Sequence, residues 1–255
     1  MDDFAGSYNQ HFDVVRANTA GLLDLAYRLR YQVYCVEHPF EDRARCRDGR
    51  EIDHDDDRSI HTLLIHRGTG LPAGTARVIM PRLDTGRLLP IQRLVGPRER
   101  AAMRRLPPHR TAEISRFAIS KQFRRRMGEE RFADTGFAYP RLRSDYSERR
   151  LLPHITFGLL RGILEICLEY EIAVLAAVME PALLRILARF GLDFEPLGPL
   201  VEHHGLRQPC LAEIVALWEQ SRRQAGPLWH YLEASGSTCH RPAPRPSWHT
   251  AIGAG

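Results

Sequence analysis

Ala112-Glu113-Ile114-Ser115-Arg116-Phe117-Ala118-Ile119 is rich in β-branched and aromatic residues and reads as a strand, yet it carries a glutamate and an arginine. In a regular strand, residues i and i+3 point to opposite faces. Glu113 and Arg116 therefore reach one site only if the strand is bulged between them. A carboxylate set in an otherwise apolar strand has its pKa raised by burial and becomes a candidate proton acceptor. The alternative is that Glu113 pairs with Arg116 or faces solvent.

Upstream, Leu22, Leu25, Ala26, Leu29 and Val33 recur at helical spacing, and Thr19 can cap a helix running from about residue 19 to 34. Residues 37–57 are charge-rich and poor in β-formers, which predicts a long ordered loop. Ile60 to His66 and Ala73 to Met80 read as two strands joined at Arg67-Gly68-Thr69-Gly70. Residues 81–110 carry several prolines and arginines and read as irregular. Downstream, Pro153 opens a helix to about Tyr170, followed by a buried strand from Ile172 to Met179. A short helix from Pro181 to Phe190 stops at Gly191. Strands over Phe194 to Glu202 and Pro209 to Ile214, then helical segments to about Glu233, complete the order. The pattern predicts an α/β (α+β) fold with a mixed, mostly antiparallel central sheet flanked by helices, one domain over residues 1–234 and a disordered tail over 235–255.

The chain has 255 residues, 44% hydrophobic and 26% charged, as expected of a globular protein. Its longest apolar run, Ile172 to Met179, is far short of the roughly 20 residues a spanning helix needs, so no transmembrane segment is expected. The acidic start Met1-Asp2-Asp3-Phe4 does not read as a signal peptide. Five scattered cysteines read as reduced thiols in a cytoplasmic protein rather than a disulfide framework. The net charge of +5 points to an acidic partner without choosing among nucleic acid, membrane surface and protein.

Four charged clusters stand out: Arg30-x-x-x-Tyr34 with Phe40 six residues on, Glu51-x-Asp53-x-x-Asp56, Gly74-x-x-Arg77, and Glu113-x-x-Arg116. An arginine in an apolar-faced helix and another in a strand need carboxylate partners, and Asp53 and Asp56 are the nearest candidates. By spacing alone, the set is a structural ion-pair network pinning a loop to the sheet or the lining of a site. His54, His61 and His66 match no zinc spacing, so no metal is expected.

The ordered set Arg30, Tyr34, Phe40, Asp53, Asp56, Arg77, Glu113 and Arg116 resembles the signature of the acyl-homoserine-lactone (autoinducer) synthases. Tyr34-Cys35-Val36-Glu37, His61-Thr62-Leu63-Leu64, Leu89-Pro90-Ile91 and Glu180-Pro181-Ala182-Leu183-Leu184-Arg185 are more similar to the related long-chain N-acyl amino acid synthases, including the subgroup associated with PEP-CTERM/exosortase systems. The family usually has Phe where this chain has Tyr34 and an aromatic, often Trp, at Phe40. The resemblance implies a GNAT-like acyltransferase fold and transfer of a long-chain acyl group to the amine of an amino acid. It makes Glu113 the catalytic base, acting directly or through water. Arg30, Tyr34, Phe40, Asp53, Asp56, Arg77 and Arg116 become the substrate-binding set. A backbone N–H around Val174 to Met179 becomes the oxyanion donor.

The wider superfamily cradles the pyrophosphate of coenzyme A on a Gln/Arg-x-x-Gly-x-Gly/Ala loop. The nearest stretch here, Arg125-Arg126-Met127-Gly128-Glu129-Glu130, puts Glu130 where a small residue belongs. That departure suits the acyl-phosphopantetheine of acyl carrier protein as donor better than coenzyme A, with no permanently bound cofactor. Carrier proteins are acidic. Residues 98–110 hold five Arg against one Glu, and residues 121–150 hold nine Lys/Arg against five Asp/Glu, so both are candidate docking segments. The amphiphilic product also allows peripheral membrane contact. The alternatives are an autoinducer synthase using S-adenosylmethionine, or a non-catalytic acyl-carrier or nucleic-acid binding module. No basic-aromatic array supports nucleic acid.

Overall fold

A computed structural model describes residues 4–81, 87–124, 155–224 and 226–234. Helix α1 (Phe4–His11) runs into strand β1 (Phe12–Arg16), and α2 (Ala20–Tyr31) follows. Thr19 caps α2, its Oγ1 accepting the Leu22 N–H at 3.3 Å, and a π-helical turn over Gln32–Glu37 extends it. The predicted loop is present and holds three single-turn helices, Arg43–Arg45, Arg47–Gly49 and Asp56–Arg58. Strands β2 (Ser59–His66) and β3 (Pro72–Ile79) form the expected hairpin. Then come α3 (Ile91–Leu94), α4 (Pro97–Met103), β4 (Thr111–Ile119) and α5 (Lys121–Arg124). The second half contributes α6 (Thr156–Glu169), β5 (Val174–Met179), α7 (Pro181–Ala188), β6 (Glu195–Pro196), β7 (Val201–Glu202), β8 (Leu206–Glu213), α8 (Ile214–Gln224) and α9 (Pro227–Ala234).

The sheet runs β1-β2-β3-β4-β5-β8-β6, with β7 also on β8. Every pairing is antiparallel except β4–β5. The mixed, mostly antiparallel α/β architecture is thus present. Three local readings change, and Phe4–Arg16, to which the sequence assigned no element, is structured. It is ordered into α1 and β1, because Phe4, Tyr8 and Phe12 pack against Phe157, Tyr231 and Phe123 rather than showing a local period. The stretch 91–103, read as irregular, winds into two short helices whose apolar residues seat on β5 and β8. The expected strand over 194–202 is two dipeptide pairings separated by Gly198, which takes φ +87°. Strand β8 begins earlier than expected, at Leu206. The tail 235–255 and the stretch 125–154, with the Arg125–Glu130 segment and most of the second basic segment, lie outside the described residues.

The period-2 alternation sorts side chains between two layers. Leu64, Val78, Ile114 and Leu175 join the main core under α6, whereas their neighbours Leu63, Ile79 and Ala176 face the opposite side. On the α6 side, close approach depends on glycine. A Cβ on Gly162 would fall 2.1 Å from Thr62 Oγ1, and one on Gly158 2.5 Å from a Leu64 methyl carbon. The other layer, beneath α2, the 37–58 loop and α3–α4, is where the sheet turns polar: His61, Arg77 and Glu113 are buried there.

Candidate active site

The chemistry begins with a bulge. Strands β3 and β4 pair regularly from Ile79↔Glu113 to Arg77↔Ser115 and then resume at Thr75↔Ala118, so Ala76 faces two residues of β4. Arg116 absorbs the extra residue at φ +50°, a left-handed conformation that costs an arginine about 1–2 kcal/mol. The slip resets the phase. Phe117 and Ile119 pack with the main core, whereas Ala118 packs under α2 with Leu29 and Val33. Arg116 consequently lies on the same face as Glu113 and Ser115, as the sequence required of a shared site.

Three arginines from three elements meet the carboxylates of the 37–58 loop. Arg30, fully buried on α2, donates Nε to Glu51 Oε2 at 2.5 Å and its two terminal nitrogens to Asp56 at 2.6 and 3.1 Å. Arg77 forks onto Asp53 with two 2.7 Å bonds, reaches Asp56 Oδ1 at 2.7 Å, and donates Nε to Ser115 Oγ at 2.7 Å. Arg116 forks onto Glu51 at 2.8 and 3.1 Å and reaches Asp53 and Glu41, each at 3.1 Å. Burial alone would raise the Asp53 pKa, but hydrogen bonds and charge from Arg77 and charge from Arg116 outweigh it and hold the carboxyl well below the usual range. Glu51 and Asp56 are lowered by the same balance between burial and arginine partners. Tyr34 donates its hydroxyl to Phe117 O at 3.2 Å and lies under the Arg116 guanidinium.

Phe40 sits beside this cluster rather than in it. Its ring stacks on His38 and meets His204, on the turn between β7 and β8, with both centroid separations at 5.4 Å. Its neighbour Glu41 is what touches Arg116. Glu51, Glu41 and Ser115 are therefore partners outside the eight positions that the sequence singles out. Glu51 was legible from its place in the Glu-x-Asp-x-x-Asp run, and Ser115 from its two-residue offset from Glu113. Glu41 had no local signal.

Glu113 is 3% exposed and accepts the Ile91 N–H at 2.8 Å, not a bond from Arg116. Burial pushes its pKa up to about 8, against the lowering effects of the Ile91 bond and Arg77. It sits beside a divergence in the sheet: the parallel pairing of β4 with β5 ends at Ile114↔Ala177, while both strands continue, to Ile119 and Met179. A second buried pair, Arg58 with Asp55 at 2.7 Å, fixes the loop below it and donates to the carbonyls of Arg87 and Leu88. His61 lies 3.4 Å from Asp56, but burial and the charges of Arg30 and Arg77 lower its pKa to about 4, so it is neutral at pH 7. Asp53, His54 and Asp55 each offer a ligand atom within 4.8 Å, though both carboxylates are already engaged by arginines. A cleft of about 340 Å³ lined by Arg16, Tyr27, Asp56 and Tyr170 opens behind the cluster. Asp56 there is saturated by Arg30, Arg77 and the Asp53 N–H.

The acetyltransferase (GNAT) domain family matches residues 29–133, a span that contains all eight of these candidate positions. Among solved structures, the AHL synthase LasI is 20% identical with a TM-score of 0.54, over 82% of this chain and 96% of its own. The CoA-dependent acyl-homoserine lactone synthase BjaI, solved with SAM and isopentyl-CoA, is 20% identical with a TM-score of 0.53, over 92% and 95%. FeeM, an N-acyl amino acid synthase from uncultured soil microbes, is 16% identical with a TM-score of 0.53, over 82% and 94%. The fold is thus similar to that of both kinds of synthase. No curated protein sequence matches the chain.

Proposed function

We propose, from the match of residues 29–133 to the acetyltransferase (GNAT) domain family and from a fold similar to that of acyl-homoserine-lactone and N-acyl amino acid synthases, that this chain is an N-acyltransferase. In this reading it moves a long-chain fatty acyl group from acyl carrier protein to the amine of an amino acid. The observation that carries it is Glu113: a buried carboxylate, protonated up to about pH 8, beside the divergence of β4 and β5. Glu113 takes a proton from the substrate ammonium, directly or through one water. The amine then attacks the thioester carbonyl, and the oxyanion is met by backbone N–H on the end of β5 that has parted from β4 but still pairs with β8. Attack forms the C–N bond, and collapse re-forms the carbonyl and breaks C–S while Glu113 gives its proton to the departing phosphopantetheine thiolate. The freed carboxylate then takes the second proton from the attached nitrogen and passes it to water, leaving the neutral amide.

The arginine–carboxylate cluster holds the 37–58 loop against the sheet, and its partly open edge, with Arg116, Asp53 and Tyr34, shapes the acceptor side. Arg30, Asp56 and Arg77 form its buried floor, and Phe40 borders it. Charge on α4 supports a carrier-protein donor. Arg98 and Arg104 are exposed on the segment that continues from Ile91, the residue bonded to Glu113, and an acidic domain docking there would sit next to the site. Among the described residues, no helix is long and apolar enough to cross a membrane.

A second reading, an acyl-homoserine-lactone synthase using S-adenosylmethionine, is supported by the likeness to LasI, at 20% identity against 16% for FeeM on nearly the same TM-score. One experiment separates them: mass spectrometry of lipid extracts from cells expressing the protein beside an empty-vector control. New N-acyl amino acids establish the first reading, and their fragment ions name the acceptor. Lactones establish the second. Neither product from folded protein, together with binding of acyl carrier protein without turnover, returns the chain to a non-catalytic module.

A further inference from the structure

The loop that delivers Glu41 and Glu51 to Arg116 is also bracketed by sulfur. Cys35, in the π-helical turn, and Cys46, between the single-turn helices Arg43–Arg45 and Arg47–Gly49, place their Sγ atoms 3.3 Å apart. A disulfide needs about 2.05 Å, so closure requires a movement of about an ångström. The two thiols are unequally placed. Cys35 is fully buried, whereas Cys46 is partly open and flanked by the exposed Arg45 and Arg47. Burial, reinforced by the contact with Cys46, pushes the Cys35 thiol up to about 12. The backbone is already drawn together here, since Arg43 donates Nε to the Cys35 carbonyl at 2.7 Å. Cys167 and Cys210 are buried, unpaired thiols elsewhere in the core.

We propose that Cys35 and Cys46 form a redox modification site whose reactant is a small-molecule disulfide of the glutathione class, and that its product is an intramolecular disulfide strapping residues 38–45 to the end of α2. The accessible Cys46 reacts first: its thiolate attacks one sulfur of the oxidant, forming a mixed disulfide and expelling one small thiolate. Cys35 then loses its proton, attacks the Cys46 sulfur and expels nothing but the second small thiol, so the bond between Cys46 and the small molecule breaks as the protein S–S bond forms. Two protein thiols and one small disulfide give one protein disulfide and two small thiols. Two electrons pass to the oxidant. The closed ring contains Phe40 and Glu41, which meet His204 and Arg116, so the bond sets how freely the cover of the arginine cluster moves. The inference does not depend on the donor or acceptor of the reaction proposed above.

The test uses the full chain carrying Cys239→Ser, which removes the fifth thiol, equilibrated in glutathione buffers from fully reduced to fully oxidised. Samples are acid-quenched, alkylated and digested with trypsin without reductant. The expected result is a linked pair, Tyr31–Arg43 joined to Cys46–Arg47, with the intact protein lighter by two hydrogens and both changes reversed by reductant. In Cys35→Ser the reaction should stop at a glutathione adduct on Cys46, and in Cys46→Ser no link should form. Alkylation of both thiols after the most oxidising buffer, or a glutathione adduct on Cys46 that persists in the presence of Cys35, would overturn the proposal. Both overturning outcomes are read from protein with native thiols at 35 and 46, so neither depends on how the variants fold.

Discussion

Burial acts on Glu113 and Asp53 in the same direction, and their partners decide the outcome. Glu113 has one backbone N–H against full desolvation and keeps its proton to about pH 8, whereas Asp53 faces two guanidinium groups and stays ionised. A base works above its pKa, so kcat/KM should climb with pH through about 8 and level off. Glu113→Gln should lower turnover by about 10²-fold and remove that limb of the pH profile. An unchanged profile in the variant would assign the limb to the substrate amine instead. Stability carries the opposite sign. Between the ordinary carboxylate value and about 8 the folded chain holds a proton at Glu113 that the unfolded chain has released, so this group's contribution falls as pH rises across that window. Urea titrations at pH 5 and pH 8 should therefore show a smaller loss for Glu113→Gln than for the native chain. Arg77→Met leaves Asp53 and Asp56 short of their shared cation and should cost about 3–5 kcal/mol in the same assay. At this scale the arginines and the Asp53/Asp56 pair were legible, because a charge in an apolar element demands a partner. Glu113's bond to Ile91 was not, since nothing local links a strand residue to a main-chain N–H in a segment read as irregular.

Helix α6 contributes through what it lacks. Two glycines one turn apart weaken it by about 1 kcal/mol each as a helix, yet they let its axis settle onto β1–β3. Gly162→Ala drives a methyl into Thr62 and should destabilise by about 1–3 kcal/mol, seen as a lowered Tm with activity per folded molecule retained. Helix α4 presents the complementary case of an element whose exposed face matters. Charge reversal at Arg98 and Arg104 should raise KM for an acyl-carrier donor about tenfold at low salt, with kcat and folding unchanged, and the native enzyme's KM should rise with added salt. Equal KM values would place the docking surface elsewhere. Long periodic elements such as α2, α6 and the β2–β3 hairpin were readable because their own residues repeat at the period of the structure. Helix α1, β1, α3 and α4 were not, because their own residues show no clear period and they are held by packing against distant partners. The strand read over 194–202 was legible only as extended chain, not as the two dipeptide pairings β6 and β7.

Across the whole molecule, the arginine–carboxylate cluster joins α2, the 37–58 loop, β3 and β4, so its protonation is a property of the assembled fold. Glu51, Asp53 and Asp56 have folded pKa values below their unfolded ones. Their contribution is fully present above the ordinary carboxylate range near pH 4 and is lost as pH falls through the depressed folded values. Acid titration followed by circular dichroism should show the native signal retained at pH 5 and lost steeply below about pH 4, and Asp56→Asn should move that loss to higher pH. The amino-acid sequence by itself determined the fold class, the phase of the long strands and helices, and which charges had to be paired, because periodicity and desolvation act through residue type and local spacing. The tertiary structure alone decided which carboxylate meets which arginine, that a bulge at Arg116 brings it to the face of Glu113, where β4 and β5 part, and that two cysteines face each other across the loop. Those outcomes depend on distances between segments remote in the chain, and on a degree of burial that exists only once the sheet and its layers have closed.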